Sequence, residues 1–199
     1  MNYTHWLVIA SIIISIGGAS AYIRDTVKGI TKPNRVSWSM WALAPLVGAS
    51  TAISAQADFW ATARIFLAGL LPLIIFLASF ANSKSYCKLT PFDIACGAFS
   101  FLALLAWLGV NSPITAILLA ATGDGLASLP TIKKAWLYPE TETKITYIAS
   151  FVSLILIIPS IPVWNIENAA FQTYLLIANA LLLIAVYRKN ISEYIHRAF

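Results

Sequence analysis

Residues 17–41 read GGASAYIRDTVKGITKPNRVSWSMW, and residues 123–147 read GDGLASLPTIKKAWLYPETETKITY. Overlaid at an offset of 106 residues, they align Gly17 with Gly123, Ala21 with Ala127, Lys28 with Lys134 and Pro33 with Pro139. Ser37 then falls on Thr143, and Trp41 on Tyr147. Each copy is an apolar helix softened by glycine, a basic end, a short proline loop and a second helix bearing a hydroxyl and an aromatic. The match extends to the breakers and the loop proline as well as the leucines, which points to an internal repeat.

The 199-residue chain is 59% hydrophobic and only 11% charged, with a mean hydropathy of +0.78. A water-soluble domain of this size needs far more polar surface. Apolar stretches of about 18 residues or more recur along the whole length, as bilayer-spanning helices require. The expected spans are 5–23, 36–54, 60–82, 91–109, 113–132, 145–163 and 168–187. The turn residues at Thr31 to Asn34, Asn111 to Pro113, Tyr138 to Glu140 and Asn165 to Asn168 mark breaks between them. Alternate gaps, counting the tail as the last, hold Arg24, Lys28, Lys32, Arg35, Lys84, Lys88, Lys133, Lys134, Lys144, Arg188, Lys189 and Arg197. The opposite side has only Arg64. By the positive-inside rule the N-terminus is outside and the C-terminus cytoplasmic, so a multi-pass protein of the cell (inner or plasma) membrane is expected.

The net charge of +5 does not indicate nucleic acid, because the basic residues border apolar helices and suit anionic headgroups. Cys87 and Cys96 are read as free thiols. Ala19-Ser20-Ala21 resembles a cleavage site, but no Lys or Arg precedes Arg24, so a retained first helix is expected. Trp6, Trp60 and Trp164 at one boundary, with Trp38 and Trp136 at the other, read as interfacial aromatic belts.

The stretch Leu129-Pro130-Thr131-Ile132-Lys133-Lys134-Ala135-Trp136, followed by Pro139 and a Ser/Thr-aromatic helix start, resembles the signature of the SWEET and PQ-loop transporter families. Thr131 stands where those families carry Gln, and the matching pair in the first helix is Arg24-Asp25. The resemblance implies an all-α membrane protein with seven transmembrane helices in a parallel 3+1+3 repeat. Residues 1–82 would form the first triple-helix bundle, 83–112 a linker helix, and 113–199 the second bundle with a short cytoplasmic tail. It also implies a small-solute transporter, or a relative that kept the scaffold and lost transport. An Asn on the third helix of a triplet faces the pocket in SWEET-like proteins, and Asn179 looks like that residue.

Asp124 is the sharpest candidate site residue. It lies mid-helix between Gly123 and Gly125, where a carboxylate costs roughly 2.5–3.5 kcal/mol to insert and is either functional or paired. A solute, proton or cation role competes with a structural hydrogen-bonded role for it. Trp41 and Tyr147 are candidates to stack on a solute, with core packing as the alternative. Arg24 and Asp25 are gate candidates at the cytoplasmic mouth, against a plain solvated helix end. Arg64 and Asp58 could form an outer latch, with snorkelling of Arg64 to the headgroups as the other reading. Pro45, Pro72, Pro130, Pro159 and Pro162 each remove an intrahelical hydrogen bond, and Pro130 is a gating candidate.

Transport of a small polar solute by alternating access, with proton linkage as an option, is thus the leading expectation. A seven-helix sensor without flux is the alternative. A retinal photoreceptor is disfavoured because residues 168–187 contain no Lys. The chain has no HExxH motif or Ser-His-Asp set, so an enzyme is not expected and no cofactor or metal is implied. The expected partners are the lipid bilayer, the solute, a proton in the coupled case and, as an option, a second copy of the chain.

Overall fold

A computed structural model describes residues 3–54, 56–57, 59–161 and 163–198, excluding the side chains of 61, 167, 168 and 192–198. Asp58 and Pro162 therefore lie outside the described residues, as do the side chains of Asn168 and Arg197. Among the described residues the fold has seven α-helices: α1 (Tyr3–Val27), α2 (Arg35–Ser54), α3 (Phe59–Ala78), α4 (Pro91–Leu108), α5 (Pro113–Leu137), α6 (Lys144–Ile157) and α7 (Ile166–Ala198). Stretches in five of them, α1, α2, α4, α5 and α7, are long and apolar enough to cross a bilayer, and α3 and α6 contain shorter apolar segments.

Local chemistry sets the helix limits. Thr90 caps α4 in a reciprocal capping box with Asp93, and Pro91 occupies the first turn, where a missing N–H costs nothing. Ser112 accepts from Thr115 N at the start of α5, again followed by proline. Helix α5 continues past Pro130 to Leu137, longer than the expected 113–132. Helix α6 stops at Ile157 and passes into a single 3-10 turn at Ile158–Ser160, because Pro159 has no N–H to donate to the preceding turn.

The helices alternate in direction and gather the basic loops at one end. Lys32 N donates to Thr141 O (3.0 Å), joining the α1–α2 and α5–α6 loops. Asn82 Nδ2 donates to Val27 O (2.9 Å), bringing in the α3–α4 loop. Lys189 pairs with Glu140 (2.9 Å), placing that part of α7 beside the α5–α6 loop. That hydrogen bond holds the Glu140 carboxyl below the usual carboxylate range, although so exposed a pair adds little stability.

Helix α3 packs against both α1 and α2, and α7 packs against both α5 and α6. Two further seams, α1–α6 and α2–α5, join these groups, while α4 lies on α5 and touches α2. Small residues let the backbones close. A Cβ at Gly69 would sit 2.9 Å from both Ala42 O and Leu46 N, and one at Gly18 would sit 2.6 Å from the Ala149 Cβ. Gly69→Leu should therefore lower stability by about 1–3 kcal/mol through overpacking of the α2–α3 seam. Gly17→Ala is the control, because a Cβ there meets nothing within 4 Å and alanine favours the helix. Thermal midpoints in detergent check this; equal losses at both positions would contradict the packing argument.

The core lies toward the basic end. Tyr22, Trp38 and Tyr147 stack there, with Tyr22 and Trp38 ring centroids 4.7 Å apart and Tyr22 and Tyr147 edge to face at 6.4 Å. Trp38 is thus buried and departs from the expected aromatic belt, whereas Trp6, Trp136 and Trp164 are exposed.

Candidate functional site: a charged central cavity

A cavity of about 380 Å³ occupies the middle of the bundle, and all seven helices contribute to its wall. It extends from Asp124, midway along α5, toward the end opposite the basic loops, where it meets Arg64 near the start of α3 and Trp107 near the end of α4. Its surface is mainly apolar, from residues such as Leu71, Leu104, Leu119 and Phe171. Arg64 lies five residues (about 8 Å) into α3, and Asp124 eleven residues (about 17 Å) into α5.

Asp124 accepts a hydrogen bond from the Tyr174 hydroxyl on α7 (2.8 Å to Oδ2). Gly125 provides the space for that approach, because a Cβ there would be 3.4 Å from the Tyr174 oxygen. The neighbouring Ser128 hydroxyl goes to the Asp124 backbone carbonyl (2.8 Å). Arg64 makes no hydrogen bond or ion pair among the described residues, and no ion pair joins it to Asp124. An unpaired guanidinium facing an apolar cavity is costly unless something in the cavity answers it.

The serines of the wall are committed to the fold. Ser15 and Ser153 bond to each other (2.9 Å), Ser153 also donates to Ser11 O (3.0 Å), Ser11 donates to Val8 O (2.8 Å), and Ser100 donates to Gly123 O (2.6 Å). These contacts tie α1 to α6 and α4 to α5 around the cavity. Gln172 on α7 adds an amide to the wall.

Below the cavity the basic end is closed by a buried polar network. Lys134 Nζ pairs with Glu142 Oε1 at 2.6 Å, with side chains 9% and 0% exposed. Glu142 Oε2 also accepts from the Tyr22 (2.7 Å) and Tyr147 (2.8 Å) hydroxyls, and Lys134 donates to Lys32 O. Beside it, Thr31 and Thr143 hydroxyls meet at 2.6 Å, and Thr143 also donates to Asp25 Oδ2 (3.1 Å). The α1–α2 and α5–α6 proline loops are therefore bonded to each other. Two hydroxyls add matching bridges across the seams: Ser37 donates to Ala127 O (2.6 Å) and Thr146 to Gly18 O (2.7 Å).

Of the site residues expected from sequence, Asp124 and Arg64 share the cavity. Arg64 borders that space near the end opposite the basic loops. Asn179 lies elsewhere on α7 and donates to Leu175 O one turn back (3.0 Å). Trp41 packs edge to face on Trp38 (5.1 Å), and Tyr147 is buried in the core beside Glu142. Arg24 is exposed and bonds its neighbour Asp25 (3.0 Å), while Asp25 also faces Thr143 in the closed end. Pro130 is buried within a helix that continues past it. Cys87 and Cys96 are both free thiols, and burial pushes the Cys87 thiol up.

Sequence reasoning missed Glu142, Tyr22, Tyr174 and Gln172. The one available signal was the second carboxylate of Pro139-Glu140-Thr141-Glu142, eight residues after Lys134 across a proline turn. Comparison of the chain with family models, curated proteins and solved structures gave no match.

Proposed function

We propose that the chain is a multi-pass membrane transporter that moves a small polar solute through the central cavity by alternating access. The observation that carries this reading is the cavity itself: a charged space at mid-bundle, touched by every helix and closed at one end by a dedicated polar network. Five long apolar helices support a bilayer setting, and the clustering of basic loops supports a cytoplasmic placement of the closed end. The conformation described then has its cytoplasmic side shut, with the solute space nearer the outside.

The helix neighbourhoods support a 3+1+3 repeat of the kind the sequence resembles. In each triplet the third helix lies between the other two, α3 between α1 and α2 and α7 between α5 and α6. The linker α4 restores the direction of the second triplet. Paired seams α1–α6 and α2–α5, each bridged by a hydroxyl, are natural surfaces for rocking one triplet against the other. Asp124 is the group through which a proton would be linked to the solute.

A proteoliposome screen across sugars, amino acids, nucleosides and vitamins, with and without a pH gradient, tests the proposal. Flux selective for one solute class is expected, and if a gradient drives it, Asp124→Asn should abolish that drive. Ligand-induced thermal stabilisation with no flux of any class would replace the transporter by a sensor.

A further inference from the structure

We infer that the solute is a small zwitterion, with its carboxylate held by Arg64 and its ammonium by Asp124. This rests on the cavity being a solute site, as proposed above, and concerns the chemistry of what fills it. Arg64 and Asp124 line the same apolar space without pairing with each other, and among the described residues neither has a counter-ion. A solute with one charge would neutralise one of them and leave the other half-buried in an apolar space without a counter-ion, which is the costly outcome. A molecule carrying both charges answers both and leaves the filled cavity neutral.

The remaining wall argues against a sugar. The four serine hydroxyls already donate within the protein or bond each other, so a polyol would find few free donors among them. Buried hydroxyls left without partners lose affinity. Beyond the single Gln172 amide, the wall offers hydrocarbon and two aromatic rings, Trp107 and Phe171, suited to an apolar side chain. A volume of about 380 Å³ lies at the small end of the range for ligand sites, which fits a body of amino-acid size.

Purified full-length protein, in detergent for thermal shift and in liposomes for uptake, tests this with free valine, leucine, phenylalanine and β-alanine. The controls are isoamylamine, which keeps only the amine of leucine, isocaproate, which keeps only its acid, and D-glucose. At least one zwitterion should stabilise the protein and bind at least about 10-fold more tightly than its one-charge analogues. Arg64→Gln should bring its affinity down toward that of the amine analogue while leaving the amine analogue's own binding unchanged. Asp124→Asn should do the converse with the acid analogue. The analogue series on the unmodified protein needs no variant to fold. Analogues that bind as tightly as the zwitterion, or no binding by any zwitterion tested, would overturn the inference. Glucose flux without zwitterion binding would overturn it and leave transport standing, whereas zwitterion binding without flux would support it and overturn transport.

Discussion

Replacing Glu142 with alanine is expected to cost about 3–5 kcal/mol of stability, the usual loss when one partner of a buried ion pair is removed. The Lys134 ammonium would remain beneath the helix ends with only the Lys32 carbonyl to answer it, and the Tyr22 and Tyr147 hydroxyls would lose their shared acceptor. For a chain of this length that corresponds to a fall of roughly 6–20 °C in the thermal midpoint. The double variant Lys134→Met with Glu142→Gln should recover most of the loss, because it removes both charges and keeps an acceptor for the tyrosines. A midpoint for Glu142→Ala within about 2 °C of the parent would mean that water reaches the pair and that the end is not sealed. Under alternating access the same variant should also favour the conformation open at the basic end.

Asp124→Asn is expected to reduce solute uptake about 10–160-fold without unfolding the protein. The asparagine keeps an oxygen for the Tyr174 hydroxyl, so the α5–α7 contact survives, and it removes the cost of a carboxylate in a mainly apolar cavity. What is lost is a charge-assisted contact to the solute, about 1.5–3 kcal/mol, which converts to the stated range. Initial uptake rates beside melting curves separate the two effects. Uptake unchanged with a lowered melting point would make Asp124 a structural residue.

The helix plan was legible in the sequence because its signals are strong and local. Apolar runs and the turn residues between them placed seven segments, and the starts of α2 to α6 fall within one residue of expectation. The ends were less legible. Helices α1, α5 and α7 run past their apolar stretches, because backbone hydrogen bonding continues after the hydrophobic signal stops, and α3 and α6 end earlier than expected.

The site was only partly legible, for a geometric reason. An unusual residue can be recognised from sequence, as Asp124 and Arg64 were, but an all-apolar helix does not reveal which face points inward. Tyr174 and Asn179 are five residues apart on α7, about 140° around the helix, so both cannot face the same space. Asn179 has the commoner look of a pocket residue, yet Tyr174 is the one that reaches Asp124. Trp41 and Met40 differ by about 100°, and the methionine takes the wall. The closed end depends on tertiary pairing: Lys134 reads as one more loop cation until the proline turn folds Glu142 back beneath it.

The most direct test of the solute pathway uses a single cysteine in the cavity wall. Ala120→Cys, in a background with Cys87→Ser and Cys96→Ser, places a thiol beside Asp124 in an otherwise cysteine-free chain. A membrane-impermeant thiol reagent added on the side opposite the basic loops should label it and stop uptake, with bound solute slowing the labelling. Complete labelling with uptake undiminished would show that the solute does not pass through this cavity.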